Sequence, residues 1–138
     1  MNIKYPKIIK QRNRYIERIK PFMRKSLVKV LTGHRRAGKS FIFFQLMELI
    51  CNEEPEANII YINKEDISFS DIKTAKDLND FVISNSVKDK MNYIFVDEIQ
   101  EIADFRLAIR SLALDENNDI YVTGSNSEVF STDLAISR

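Results

Sequence analysis

Short runs of apolar residues alternate with stretches in which apolar residues recur at helical spacing. Four of the runs predict β-strands: SLVKVLTG (residues 26–33), NIIYIN (58–63), MNYIFVDE (91–98) and DIYVTGSN (119–126). Helical spacing predicts helices around residues 70–84 and from residue 105 onward, and KSFIFFQLMELIC (39–51), which is apolar nearly all round, predicts a buried helix. Continuously apolar strands that alternate with helices are typical of a parallel sheet covered on both faces. We therefore predict an α/β fold with a mostly parallel sheet.

Two of the predicted helices begin near acidic residues. Asp71 suits the positive end of one helix dipole, and Asp104 is expected to cap the helix that follows it. Ahead of the first strand, residues 8–20 combine isoleucines with many charges and stop at Pro21, which predicts a short helix. We accordingly divide the chain into a helical segment, residues 1–25, and one core domain, residues 26–138.

Every predicted strand ends in polar residues, and in a parallel sheet all of these ends lie at one edge. The four ends are Thr32-Gly33, Asn63, Asp97-Glu98 and residues 123–126. Open α/β sheets bind ligands beyond the carboxyl ends of their strands. The pattern therefore predicts a ligand site at this edge of the sheet.

Glycine is scarce, and its placement is informative. Two of the three glycines, Gly33 and Gly38, frame GHRRAGKS (33–40), which fits the pattern G-x-x-x-x-G-K-[ST] between a predicted strand and a predicted helix. Glycines let backbone N–H groups turn toward a phosphate, and the start of the next helix adds further donors. In that arrangement Lys39 reaches the β- and γ-phosphates, and the hydroxyl of Ser40 ligates Mg²⁺. The predicted nucleotide contacts are Gly33, His34, Arg35, Arg36, Ala37, Gly38, Lys39, Ser40 and Phe41.

Two acidic residues, Asp97 and Glu98, close the third predicted strand. Asp97 can hold Mg²⁺ from the side opposite Ser40, and Glu98 can act as general base on an attacking water. Consecutive strand residues point in opposite directions, so the two acids should have different roles. A pair of loop acids without any role in chemistry is the alternative.

The fourth predicted strand is followed by neutral polar residues. One of Thr123, Ser125 and Asn126 could hydrogen-bond the γ-phosphate or orient the attacking water, and Asn126 is the favoured candidate. A simple polar turn is the alternative.

Charge is unevenly distributed, although the net charge is only +1. Residues 1–39 hold 13 Lys and Arg against one acid, whereas residues 40–138 hold 8 against 19 acids. A basic front segment suits nucleic acid or phosphate, and a solvated helix face is the alternative. Within the glycine-framed loop, Arg35 and Arg36 either add positive potential or face solvent.

Nothing in the sequence predicts a membrane or a secretory route. No apolar run reaches the length of a membrane helix, and the first residues lack the apolar region of a signal peptide. The single cysteine, Cys51, has no internal disulfide partner. We expect a cytoplasmic protein without membrane contact.

Together these residues resemble the P-loop ATPases of the AAA superfamily. The closer resemblance is to the AAA_14 group, in which an N-terminal ATPase domain precedes a C-terminal domain called DUF4143. It is carried by GHRRAGKSFIFFQL (33–46), YINKED (61–66), YIFVDEIQEIADFRLAIRSL (93–112) and DIYVTGSNSEVFSTDLA (119–135). The resemblance implies a three-layer P-loop NTPase core that binds ATP and Mg²⁺ and couples hydrolysis to a conformational change. A nucleotide-dependent DNA-binding or regulatory module is the alternative function.

The resemblance also assigns roles to individual residues. It gives Lys39, Ser40, Asp97 and Glu98 the phosphate, metal and base roles argued above, and it gives Asn126 or Ser125 the role of sensing the γ-phosphate.

This chain departs from the group because it ends at Arg138. Such proteins continue through a fifth core strand, a lid and the C-terminal domain, in a sheet of strand order 5-1-4-3-2. We therefore expect a fragment of a longer protein, with the fifth strand missing and the C-terminal domain as a partner. The first strand would then lie at an open edge, which favours a homo-oligomer. Without an arginine finger, hydrolysis by this chain is expected to be weak.

Overall fold

The computed structural model describes residues 16–25, 27–32 and 38–125. The predictions for residues 8–15, for loop residues Gly33, His34, Arg35, Arg36 and Ala37, and for Asn126 lie outside the described residues.

A four-stranded sheet is the centre of the described fold. The strands are β1 (Lys29–Thr32), β2 (Asn58–Asn63), β3 (Asn92–Asp97) and β4 (Asn118–Gly124), in the order β1-β4-β3-β2. All three strand pairs are parallel, which confirms the predicted α/β class. Within the described part of the chain, β1 pairs with β4 alone and so occupies an edge of the sheet.

In the described part of the chain after β1, three α-helices connect and cover the strands: α1 (Lys39–Glu53), α2 (Ala75–Asn85) and α3 (Phe105–Leu112). One face of the sheet packs against α1 through Leu31, Tyr93, Phe95 and Tyr121, while the other face belongs to a cluster that includes residues of α2 and α3. The result is a three-layer arrangement with the sheet in the middle. All six residues of β3 are buried, as expected for a strand covered on both faces.

Helix α1 is held to the sheet by residues at helical spacing. Its buried apolar side chains are Ile42, Phe43, Leu46, Met47 and Ile50. Because these recur every three to four residues, one stripe of the helix faces β3 and β4. The packing fixes the start of α1 beside the carboxyl ends of the strands.

Helix α2 starts later than predicted, whereas α3 starts at Phe105 as predicted. Helix α2 begins at Ala75, so Asp71 lies outside it, and the capping residue is Thr74, whose side chain accepts from the backbone N–H of Asp77. Thr74 and Asp77 form a reciprocal capping box. Asp104 does occupy the cap position of α3, but it has left-handed backbone angles and makes no capping hydrogen bond with its side chain.

The segment ahead of β1 also differs in detail. Residues 16–19 are helical, and the chain then tightens into a 3₁₀ turn, Lys20–Phe22, that includes Pro21. Proline is tolerated in the first turn of a helix because the N–H that it lacks has no helical acceptor there. Ile16 and Ile19 are buried against the α1 side of the sheet.

A buried ion pair lies at the amino ends of β1 and β4, opposite the carboxyl ends where the ligand site is predicted. Lys29 contacts Asp119, and both side chains are fully buried. Asp119 also accepts from the backbone N–H of Arg24 at 2.9 Å and from the hydroxyl of Tyr121 at 2.6 Å. Burial lowers the pKa of Lys29, and the partner carboxylate opposes that shift.

Arg24 extends this network to the end of α1. Its guanidinium donates to the hydroxyl of Tyr93 at 2.9 Å and to Glu53 at 2.7 Å, and Tyr93 in turn contacts Glu54. Residues 16–25, the sheet and α1 are thus joined at the edge away from the predicted ligand site.

Candidate functional site

The candidate site begins at the first turn of α1. Gly38 precedes the helix with φ 83° and ψ 22°, a left-handed conformation that glycine adopts without steric cost. The chain can therefore enter the helix directly at Lys39, and the carbonyl of Gly38 accepts from Ile42 at 3.3 Å. The free N–H groups of a helix's first turn, together with its dipole, favour an anion.

Lys39 projects into the interior at the carboxyl edge of the sheet. Its side chain is only 2 % exposed. The ammonium donates to the backbone carbonyl of Gly124 at 2.8 Å and lies 3.5 Å from a carboxylate oxygen of Glu98. A buried ammonium needs such partners, since burial without them is costly.

Ser40 and Asp97 meet across the space between α1 and β3. The hydroxyl of Ser40 donates to Oδ2 of Asp97, and the hydroxyl of Thr123 on β4 donates to Oδ1 at 2.5 Å. Tyr61 on β2 donates to Oδ2 at 3.4 Å. Burial, followed by the charge of Asp97, raises the pKa of Tyr61, so this phenol keeps its proton at neutral pH.

Glu98 turns away from Asp97 and has different partners. Its backbone is left-handed, with φ 59° and ψ 53°, which reverses the chain as β3 ends. Oε1 accepts from Gln100 at 2.7 Å and from Ser125 at 2.5 Å. Burial works against ionisation, but these hydrogen bonds and the charge of Lys39 outweigh it and lower the pKa of Glu98 below 4.5. Glu98 is therefore a carboxylate at neutral pH.

The donor set at the site fits a hard divalent cation such as Mg²⁺. Ser40 and Asp97 offer hard oxygen atoms side by side, and Mg²⁺ is usually held by one or two such protein groups together with phosphate and water oxygens. In the described part of the chain, no group of three or more His, Cys, Asp or Glu side chains could hold a metal ion. These residues thus fit a magnesium ion that arrives with a phosphate ligand.

The described residues of the predicted site come together in large part. Lys39, Ser40, Asp97, Glu98 and Ser125 lie within one connected set of contacts. Phe41 lies on the first turn of α1 with 36 % of its surface exposed.

Three further residues belong to this set of contacts. Gln100 and Tyr61 were missed in the sequence. Thr123 was considered only as a group that bonds the γ-phosphate or orients the attacking water, whereas its hydroxyl contacts Asp97 and Glu98. The one available signal was closeness in sequence to predicted site residues. Gln100 stands two residues after Glu98, and Tyr61 stands two residues before Asn63 at the end of a strand, so it points to the same face.

A parallel sheet in this order, with a glycine-led helix at its carboxyl edge, defines an α/β protein of the P-loop type. A family model for the AAA domain, AAA_14, matches residues 25–137. The chain therefore belongs to this AAA-domain family. Proteins with AAA domains generally bind nucleotide.

Two relatives share the sequence over nearly the whole chain. An uncharacterized protein of Haemophilus influenzae is 30% identical over 127 residues, which is 90% of this chain and 32% of the relative. The uncharacterized protein MJ1544 of Methanocaldococcus jannaschii is 36% identical over 137 residues, which is 99% of this chain and 29% of the relative. The chain thus spans about a third of the length of the curated relatives it matches.

Two solved structures resemble this chain with low sequence identity and moderate structural overlap. They are the structures of Drosophila ORC bound to AT-rich DNA and Cdc6 and of Drosophila ORC bound to GC-rich DNA and Cdc6, with TM-scores of 0.49 and 0.48. Both are 13% identical and cover 86% of this chain, against 47% and 48% of the matched chains. The family assignment does not depend on them. Among the described residues, no helix has the length and apolarity needed to cross a membrane.

Proposed function

We propose that this chain binds ATP together with Mg²⁺ and hydrolyses it, and that hydrolysis is coupled to a conformational change. One observation carries the proposal: Lys39 and Ser40, at the start of α1, contact Glu98, Asp97 and the end of β4 at a single edge of the sheet. P-loop NTPases place a lysine, a hydroxyl and an aspartate at the phosphates and Mg²⁺, and a second carboxylate can serve as general base on the attacking water.

The separate partners of Asp97 and Glu98 support separate roles. Asp97 and Ser40 would hold Mg²⁺, which when bound neutralises charge on the β- and γ-phosphates. Lys39 would neutralise further phosphate charge. Glu98 is a carboxylate at neutral pH and would accept the proton of the attacking water. Ser125, which contacts Glu98, or Asn126 would orient the water or the γ-phosphate.

The contacts of Lys39 support a link between binding and shape. In the described structure its ammonium bonds the carbonyl of Gly124 and lies beside Glu98. A triphosphate competes for the same ammonium, so binding would release Glu98 from this ion pair and disturb the end of β4. Glu98 would then keep the hydrogen bonds from Gln100 and Ser125 to Oε1, and Oε2 would be free to accept from water.

Isothermal titration of the chain with Mg-ATP and with Mg-GTP tests the proposal. We expect Mg-ATP to bind, and Lys39→Ala to weaken binding about 10-fold or more, because a hydrogen bond to a charged group contributes about 1.5–3 kcal/mol. Lys76→Ala is the matched control, since the Lys76 side chain is 83% exposed and pairs with Asp80 on α2.

Thermal melting must accompany the titration because Lys39 is buried. Lys39→Met, which keeps the apolar stem, serves if the alanine variant melts early. Absence of heat with the wild-type chain, or equal affinity in wild type and a folded Lys39 variant, would contradict nucleotide binding at this site.

A further inference from the structure

The hydroxyl of Thr123 lies between the two acidic residues of the candidate site. Thr123 is fully buried on β4. Its hydroxyl donates to Oδ1 of Asp97 at 2.5 Å and accepts from the backbone N–H of Glu98 at 2.9 Å. One side chain on β4 therefore bonds two consecutive residues at the end of β3.

The first bond determines which oxygen of Asp97 faces α1. The terminal torsion of an aspartate is broad, so an unrestrained carboxylate can turn. Because Thr123 engages Oδ1, Oδ2 is the atom left to meet the hydroxyl of Ser40, with the Tyr61 hydroxyl at 3.4 Å. Thr123 thus orients the carboxylate toward the place where Mg²⁺ would lie.

The second bond supports an unusual backbone. Glu98 is a non-glycine residue at φ 59°, a conformation that is uncommon and costs energy unless the surroundings hold it. The bond from its N–H to Thr123 holds this turn in place. This backbone conformation directs the Glu98 side chain toward Gln100 and Ser125 and away from Asp97.

We propose that Thr123 is a positioning residue that sets the directions of both carboxylates, and that it acts on bound Mg²⁺ through Asp97. A hydroxyl has one proton, and Thr123 gives it to Asp97, so it has none to donate to a phosphate. This inference rests on the proposed Mg-nucleotide function and assigns to Thr123 a role other than sensing the γ-phosphate.

The test compares Thr123→Val, which keeps the shape and loses the hydroxyl, with Thr123→Ser, which keeps the hydroxyl. ATP affinity is measured by calorimetry across a Mg²⁺ titration and again with EDTA. Thr123→Val should need at least about 10-fold more Mg²⁺ for half-maximal binding. Loss of a residue that hydrogen-bonds a metal ligand typically lowers metal affinity about 10–100-fold. Metal-free ATP affinity should not change, and Thr123→Ser should behave like the wild type.

A double-mutant cycle separates positioning from general structural support. In an Asp97→Ala background, Thr123→Val should not raise the Mg²⁺ requirement further, because the carboxylate through which Thr123 acts is gone. Should Thr123→Val melt without cooperativity, Thr123→Cys replaces it, since a thiol is only a weak donor. The Mg²⁺ concentration that Thr123→Cys needs for half-maximal binding should be higher than that of the wild type and of Thr123→Ser.

The outcomes separate this inference from the function on which it rests. If the wild-type chain binds no nucleotide, the proposed function fails. If the wild type binds with Mg²⁺ dependence and a folded Thr123→Val does the same at equal Mg²⁺, only the positioning role fails. Equal losses with and without Mg²⁺ would also overturn it, because they would indicate direct contact with the nucleotide or a purely structural effect.

Discussion

Glu98 has the most constrained surroundings of the residues at the candidate site. Its left-handed backbone, its bond to Thr123 and its hydrogen bonds from Gln100 and Ser125 fix one orientation of the carboxylate. Lys39 adds a positive charge 3.5 Å away. The carboxylate is therefore ionised and fixed in direction, and geometry is the first requirement for accepting a proton from a water within hydrogen-bond reach.

Replacing Glu98 with glutamine should separate binding from chemistry. Glu98→Gln keeps the volume and removes the proton acceptor, so the variant should still bind Mg-ATP while phosphate release falls about 100-fold or more. Single-turnover assays with excess protein measure this even when turnover is slow. Glu101→Gln is the control, since Glu101 is an exposed acid three residues further along the chain. Phosphate release at the wild-type rate by Glu98→Gln would exclude Glu98 as the base.

The residues with the proposed chemistry could be predicted from the sequence, but several of their partners could not. Lys39 and Ser40 follow from glycine spacing between a strand and a helix, and Asp97 and Glu98 follow from their place at the end of an apolar strand. The role of Thr123 depends on the register in which β4 pairs with β3, and no local pattern specifies that register.

At the scale of elements, one strand and two of the three helix starts coincide with the prediction, and α2 starts later than predicted. NIIYIN coincides with β2 because an apolar run bounded by polar residues has clear limits. For α2, Ile72 fits the helical spacing and suggests an early start, although it packs into the core ahead of the helix. The capping box of Thr74 and Asp77 has a local signature three residues apart, and it marks the true start better than the apolar spacing does.

The capping box gives α2 a pH-dependent contribution to stability. Hydrogen bonds from the backbone N–H groups of Lys73 and Thr74, with a further one from the Thr74 side chain, hold the pKa of Asp77 below 3.8. A carboxylate with a depressed pKa stabilises the fold above its ordinary value, and the contribution is lost as pH falls through the folded value. Asp77→Asn should therefore lower the urea midpoint at neutral pH, and the gap to the wild type should close below pH 3.8.

Asp80→Asn provides a comparison on the same helix. Asp80 accepts from Lys76 at 2.7 Å on an exposed surface, and exposed pairs contribute little to stability. At neutral pH, its loss should lower the urea midpoint less than the loss of Asp77. An Asp77→Asn gap that stays constant as pH falls would argue against the ionised cap.

At the scale of the whole molecule, part of the uneven charge is neutralised by ion pairs among the described residues. Of the 13 basic residues in positions 1–39, Lys20, Arg24, Lys29 and Lys39 pair with acids of the same chain. Three of these four acceptor sites lie after residue 40, so folding brings the basic front segment to the acidic remainder. Binding to nucleic acid, to a C-terminal domain or to a second copy of the chain stays a prediction.

The buried pair of Lys29 and Asp119 should dominate the stability of the edge opposite the candidate site. Asp119→Ala leaves a fully buried ammonium without its carboxylate, and breaking such a pair typically costs about 3–5 kcal/mol. Urea unfolding measures the loss, and Lys29→Met combined with Asp119→Leu should recover a large part of it. Asp80→Ala is the surface comparison and should cost below about 1 kcal/mol. A loss this small for Asp119→Ala would contradict the dominant role of the pair.

Strand β4 takes part in both polar clusters, and this has a consequence for changes in chain length. Asp119 and Thr123 stand an even number of residues apart and so point to the same face, one in the ion pair and the other beside Asp97. A single inserted or deleted codon between them would turn one of the two to the opposite face, and no shift of register could restore both. Natural length variants should therefore be confined to the exposed turn of residues 114–117 that leads into the strand.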